Sequence, residues 1–334
     1  MYVPMELVNV LVTTSIGDEC LRQITIISPK IKVRDASLLA RAEQKGAIAS
    51  KEQFDGLLAE AEVIYGFRLP KNVIARAPKL KWVQMMSAGV DRFLDSEFLQ
   101  SSVIMTNVSG VHAAPVGEFV LELMLMFVKQ APLCFHLKQK KEWKWYTPAV
   151  LRAKTVGIVG LGSIGREVAR LGKAFGMRVV ATRRSAERVA RARYVDMVLP
   201  PEQLQELLAD SDFVVLTLPL TSETNRLIGE EELRTMKSTG YLINVARGGI
   251  VDEEALIRAL NEHWIAGAGL DVFATEPLPA DSRLWEFPNV IFSPHVAGSF
   301  EGYSLRATEL FCNNLRRYLN GKKLLNVINK NKGY

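Results

Sequence analysis

The stretch GIVGLGSIG, residues 157–165, constrains this chain more than any other. Gly160-x-Gly162-x-x-Gly165 comes straight after the apolar run TVGIV and opens on REVARLGKAF, whose apolar residues recur at helical spacing. A GxGxxG string alone means little, but between a strand and a helix it is the dinucleotide-binding fingerprint. Gly160 makes the tight turn, Gly162 lets the backbone approach a pyrophosphate, and Gly165 lets helix and strand pack closely. The helix beginning at Ser163 and Ile164 then turns its unpaired N–H groups and the positive end of its dipole toward the phosphates.

The next apolar run, MRVVAT, ends on Arg183, Arg184 and Ser185. Arg183 stands 18 residues after Gly165, where the fingerprint places an acidic residue that binds ribose hydroxyls. A carboxylate there repels a 2′-phosphate, whereas a guanidinium grips one and cannot lose its charge. Ser185 adds a hydroxyl, Arg188, Arg191 and Arg193 follow nearby, and no Asp or Glu stands at the strand end. These arginines point to NADP (NADPH), with NAD as the other reading.

Both runs belong to a longer alternation. From Thr155 onward six strand-like runs, TVGIVG, MRVVAT, DFVVLTL, GYLINVA, AGAGLDVF and NVIFS, are separated by helical text such as PEQLQELLAD and DEEALIRALNE. Up to about residue 105 a second series runs VNVLVTT, EQFDGLLAEAE, AEVIYG, KLKWVQMMS, SVIMTN. Alternation of this kind builds α/β layers on a parallel sheet. With 334 residues, 48% of them hydrophobic, the chain is long enough for two such domains. Between the series, GEFVLELMLMFVKQ reads as a buried helix starting near His112 to Pro115. HLKQKKEWKWYTP after it reads as a polar helix end with interfacial tryptophans, the alternative being a contact with phosphates and bases. A last amphipathic helix is expected over about 302–319.

The excess of 42 basic over 36 acidic residues is too mild to indicate nucleic acid. The apolar stretch Val120–Val128 falls far short of the ~20 residues that cross a bilayer, and the N-terminus shows no basic leader. Cys20, Cys134 and Cys312 are too widely spaced for a disulfide framework or a thiolate metal site, so buried free thiols are expected. The expectation is a soluble, cytoplasmic protein with no membrane or nucleic-acid partner and no metal.

A cofactor that moves hydride needs a side chain that moves a proton. Of the four histidines, His136 and His263 read as surface and His112 as a helix cap. His295 follows a strand and a proline at the far end of the nucleotide-binding series, where ligands gather.

With GIVGLGSIG, LPLTSET, INVARGGIVDE, AGLDVFATEPLP and SPHVAG in order, and MSAGVDRF and VGE before them, the chain resembles the D-isomer-specific 2-hydroxyacid dehydrogenases over nearly its whole length. The resemblance implies two Rossmann-like doubly wound parallel-sheet domains with an active-site cleft between them. Residues 1–105 and 300–334 would bind substrate, and residues 106–299 the cofactor. It implies that Arg247 binds the substrate carboxylate and carbonyl oxygen, that Glu276 pairs with His295, and that His295 is the acid/base. A guanidinium suits a planar anionic 2-keto acid, and a neighbouring carboxylate favours a protonated imidazole. It further implies that Ala88 and Gly89 offer backbone amides to the substrate. Leu218 and Pro219 would line the adenosine, and Val245, Asp271 and Gly298 the nicotinamide, with Asp271 on its carboxamide.

Arg183 departs from the aspartate of NAD-using members and resembles the NADP-preferring glyoxylate and hydroxypyruvate reductases, so reduction of a small 2-keto acid is expected. Two alternatives stay open: a phosphoglycerate dehydrogenase-like NAD enzyme, and a non-catalytic dinucleotide-sensing protein of the corepressor kind. Many members are homodimers, and the apolar helix after Pro115 is the expected interface.

Overall fold

Short β-branched runs without polar alternation are suited to strands covered on both faces, and the chain uses them so. The structure, a computed structural model, describes residues 7–47, 51–90 and 96–330. It divides into two units, Met1–Val111 with Phe300–Tyr334, and His112–Ser299.

The first unit is built on a parallel sheet of β1 (Val8–Val12), β2 (Ile31–Asp35), β3 (Val63–Gly66), β4 (Trp82–Met85) and β5 (Ile104–Thr106), in the order β2-β1-β3-β4-β5. The helix Tyr303–Leu319 returns to cover it. Phe311 stacks on Tyr65 at 4.2 Å, and the buried amide of Asn314 donates to Gln84 Oε1 at 3.0 Å. The unit continues past residue 105 to Val111 because the residues after β5 stay tied to the C-terminal segment. Thr106 bridges Val327, and Asn326 Nδ2 donates to Ser109 O at 2.8 Å.

The second unit holds eight strands: β6 (Thr155–Val159), β7 (Arg178–Thr182), β8 (Ala190–Ala192), β9 (Val195–Leu199), β10 (Phe213–Leu216), β11 (Tyr241–Asn244), β12 (Gly267–Leu270) and β13 (Val290–Phe292). Their order is β13-β12-β11-β10-β6-β7-β9-β8, with β8 antiparallel to β9 and the other pairs parallel. The order reverses between β6 and β10, and a doubly wound sheet gathers its ligands at the carboxyl ends of strands beside such a reversal.

The helix Ala113–Val128 spends its apolar face inside this unit. Val116, Val120, Leu123, Met124 and Phe127 are buried, and Gly117 lies so close to the helix Ser163–Ala174 that an added Cβ would come 2.7 Å from Glu167 Cγ. Phe119, Leu121, Leu125 and Met126 of the same helix are only half-buried. Large apolar surface is also exposed just after it, at Phe135, Trp143 (93%) and Trp145 (88%). Cys20 and Cys312 are buried, but Cys134, on the short polar helix Ala131–Lys140, is exposed and corrects the expectation of three buried thiols. Among the described residues no single helix is long and apolar enough to cross a membrane, and no cluster of His, Cys, Asp or Glu could hold a metal ion.

Candidate active site

The three glycines of the fingerprint differ in what requires them. Gly160 has φ +99°, and a Cβ there would lie 2.8 Å from the Leu218 side chain; one on Gly165 would lie 2.4 Å from the Gly160 carbonyl oxygen. Those two are dictated by the packing of β6, the following helix and the end of β10. Thr217 Oγ1 fastens the same turn by donating to Gly160 O at 2.6 Å. Gly162 has an unremarkable φ of −83°, and nothing lies within 4 Å of a Cβ built on it. The protein leaves open space just where the fingerprint brings a pyrophosphate, in front of the helix that starts at Ser163 and Ile164. This cradle fits a dinucleotide. Leu218, half-buried, and Pro219, exposed, follow β10 beside it.

At the end of β7, Arg183 N donates to Leu199 O at 3.1 Å and Ala186 N to Arg183 O at 2.9 Å, closing a turn that exposes Arg183, Arg184 and Ser185 at the carboxyl edge of the sheet. The neighbouring arginines do not all share that edge. Ala190 of β8 lies opposite Val198 and Ala192 opposite Val195. The antiparallel strand thus leaves Arg188 at the carboxyl edge and carries Arg193 to the opposite one, where its guanidinium sits 4.8 Å from the Tyr194 ring. Closeness in sequence to Arg183 is not closeness in space for Arg193, which corrects the grouping of all five arginines.

The loops after β11, β12 and β13 meet. Asn244, the last residue of β11, accepts from Ala246 N at 3.1 Å and donates to Arg247 O at 2.9 Å, so its side chain shapes the turn that holds Val245 and Arg247. Arg247 is half-buried, with Nη1 donating to Ala246 O at 2.8 Å. Gly248 lets this turn sit directly on the chain after β12, since a Cβ there would fall 1.9 Å from the Phe273 carbonyl carbon. On that chain Glu276 accepts from Phe273 N at 3.3 Å through one carboxylate oxygen and faces His295 Nδ1 at 3.0 Å through the other. The pair leaves Nε2 as the imidazole nitrogen not spent on Glu276. Side-chain exposure is 44% for His295 and 20% for Glu276.

Asp271 lies beneath this pair with 2% exposure. Its Oδ1 accepts from Ser293 Oγ at 2.6 Å, Val296 N at 2.7 Å and Ala297 N at 3.1 Å, and its backbone oxygen accepts from His295 N at 2.9 Å. The carboxylate thereby holds the turn on which His295 sits in the left-handed region, at φ +56°.

His112 is the residue that sequence reasoning misplaced. His136 and His263 are exposed, as expected. His112 occupies the N-cap position but makes no capping hydrogen bond through its side chain. Its ring instead packs on Gly298, where a Cβ would meet Cδ2 at 2.8 Å. Burial, and secondarily the positive charge of Arg247, push its pKa below the ordinary histidine value. The one sequence sign is a histidine at a position that favours Ser, Thr, Asp or Asn.

In the first unit, Ala88 and Gly89 follow β4 in a half-buried turn. Ser87 Oγ donates to Gly89 O at 2.8 Å, and Asn107 Nδ2 donates to Ala88 O. Asp91, Arg92 and Phe93 of the same motif lie outside the described residues.

Residues 121–297 match the D-isomer specific 2-hydroxyacid dehydrogenase NAD binding domain. The chain is similar to the glyoxylate reductase of Aeropyrum pernix, 37% identical over 285 residues that cover 81% of this chain and 84% of that one. Its fold matches a D-isomer specific 2-hydroxyacid dehydrogenase from Xanthobacter autotrophicus in complex with NADPH, with a TM-score of 0.81, 30% identity, and coverage of 98% and 100%. It also matches the NADPH-dependent glyoxylate/hydroxypyruvate reductase of Sinorhizobium meliloti in complex with NADP, with a TM-score of 0.82, 27% identity, and coverage of 98% and 100%. The chain belongs to the D-isomer specific 2-hydroxyacid dehydrogenase family and is an NAD(P)-dependent oxidoreductase acting on 2-hydroxy acids.

Proposed function

We propose that this enzyme is an NADP-preferring reductase of a small 2-keto acid of the glyoxylate or hydroxypyruvate type, with His295 as the proton donor. The observation that carries the reading is the His295–Glu276 pair at 3.0 Å, on loops adjoining the turn of Arg247. When bound, the nicotinamide supplies the hydride. His295 gives a proton from Nε2 to the ketone oxygen, while Glu276 fixes the ring through Nδ1. Arg247 holds the carboxylate and polarises the carbonyl with a fork of donors. Val245, Asp271 and Gly298 would line the nicotinamide, and Leu218 and Pro219 the adenosine.

Preference for NADP rests on Arg183, Arg184 and Ser185 at the carboxyl end of β7, and is supported by the NADPH and NADP bound in the two related structures. The enzyme acts as a homodimer, a reading supported by the surface of Phe135, Trp143 and Trp145, too apolar to be left to water. Free thiols suit a cytoplasmic location.

Following NADPH absorbance on adding glyoxylate, hydroxypyruvate, pyruvate and larger keto acids tests the reading. Oxidation with the small acids and a slower rate with NADH is the expected result. Absence of turnover with every acid sinks it and favours a dinucleotide-sensing protein.

A further inference from the structure

His295 must keep its Nε2 aimed while sitting in a conformation that L residues adopt at a cost. The turn that carries it needs support on more than one side. From below, the Asp271 carboxylate gathers Ser293, Val296 and Ala297. Three residues after His295 comes Gly298, half-buried, and what rests against it is the His112 ring, with Cδ2 2.8 Å and Cγ and Nε2 3.6 Å from the place a Cβ would take. These distances leave no room for a side chain at 298, and they leave a hole if the imidazole is removed.

His112 is also the first residue of the second unit, and Ser299, next to Gly298, is the last. Its ring therefore rests on the chain within two residues of where that chain leaves the unit. The charge of Arg247 also acts on the imidazole, after burial as the larger influence. A neutral ring suits this spot, since a second cation against Arg247 would cost Coulomb energy.

We infer that His112 is a positioning residue for the proton donor, bracing the Val296–Ser299 turn through Gly298. The inference rests on His295 being the acid/base. An imidazole against a glycine makes a flat, close contact that an aliphatic side chain cannot reproduce. Beside the hydrogen bonds of Asp271 it is a second hold on the same turn. A displacement of the proton donor by a fraction of an ångström lowers the rate of the chemical step far more than it lowers affinity for substrate or cofactor.

The test is a cycle of His112→Ala, Gly298→Ala and the double variant, with His112→Asn as a shape-retaining fourth protein. All are assayed by steady-state reduction of glyoxylate with NADPH and by thermal unfolding. His112→Ala is expected to lower kcat about 10-fold or more while KM stays within about threefold, and His112→Asn to recover part of the loss. Gly298→Ala should be severely impaired on its own, because its methyl group meets the ring. In the His112→Ala background the same change should cost at least several-fold less than it does alone, with any remaining loss read as weaker NADPH binding at Gly298 itself.

Equal kcat in wild type and His112→Ala, or independent losses that multiply in the double variant, would overturn the bracing role. If His112→Ala does not fold, the comparison of His112→Asn with wild type decides the same point. His295→Ala run alongside separates the two ideas. Turnover surviving in that variant removes the acid/base assignment itself, whereas its loss together with a wild-type His112→Ala removes only the brace.

Discussion

His295 Nδ1 lies 3.0 Å from a carboxylate oxygen of Glu276, and the other oxygen of that carboxylate accepts from the Phe273 backbone at 3.3 Å. Glu276 is thus fixed before it fixes the histidine. Exchanging it for glutamine keeps the shape and a hydrogen-bonding group but replaces the carboxylate oxygen beside Nδ1 with an uncharged amide. Glu276→Gln is expected to lower kcat by roughly 10- to 100-fold, with NADPH affinity unchanged, as read by steady-state kinetics beside a fluorescence titration. A variant with wild-type kcat would mean that the pair is structural and the proton comes from elsewhere.

The glycines of the fingerprint separate folding from binding. Gly162→Ala puts a methyl group into space that no protein atom occupies within 4 Å, at a φ that any residue adopts. Its melting temperature should match the wild type while its Kd for NADPH rises 10-fold or more. Gly165→Ala drives a methyl group to 2.4 Å from the Gly160 carbonyl oxygen and should cost about 1–3 kcal/mol of stability. The reverse pattern, with Gly162→Ala unstable and binding normally, would remove the cradle from the cofactor site.

The proposed preference for NADP is tested at the sheet edge. Arg183→Asp should weaken NADPH by ~1.5–3 kcal/mol through the lost charged hydrogen bond, and further through repulsion, while NADH binding holds or improves. Arg193→Ala should leave both affinities unchanged, because β8 carries that residue to the other edge. Isothermal titration of both variants with both cofactors is the measurement. An unchanged NADPH-to-NADH ratio in Arg183→Asp, or a loss in Arg193→Ala, contradicts the assignment.

Strands covered on both faces were legible because burial demands continuous apolar text. TVGIV, FVVL and YLIN read as strands from sequence alone, and they are strands. Two edge strands, β2 and β8, escaped for the opposite reason. In IKVRD only Ile31 is buried, and all three residues of β8 are exposed, so hydrophobicity does not announce them. The candidate site divides along a similar line. Arg247, Glu276 and His295 stand in recognisable strings, and Gly160 and Gly165 obey local geometry. Gly248, His112 and the grip of Asp271 on its own loop answer to neighbours 25, 186 and up to 26 residues away in sequence, and no local pattern encodes such contacts.

The pH dependence of stability tests the setting of His112. Burial, then the charge of Arg247, hold its imidazole below the ordinary value of 6.5. Between that ordinary value and the depressed folded one, the unfolded chain binds a proton that the folded chain refuses. Stability is therefore level with respect to this group above about pH 6.5 and falls as pH drops through the window, by at most about 1.4 kcal/mol per pH unit. His112→Asn carries no such proton and escapes this part of the acid loss, while every carboxylate common to both proteins contributes equally. Urea midpoints for the two proteins at pH 7.5 and at about pH 5 give the comparison. The wild type should lose more on acidification than the variant, so that the gap between them at neutral pH narrows or changes sign. Parallel losses would mean that the His112 imidazole takes up its proton as readily in the folded chain as in the unfolded one, and that it is neither as buried nor as near Arg247 as the structure has it.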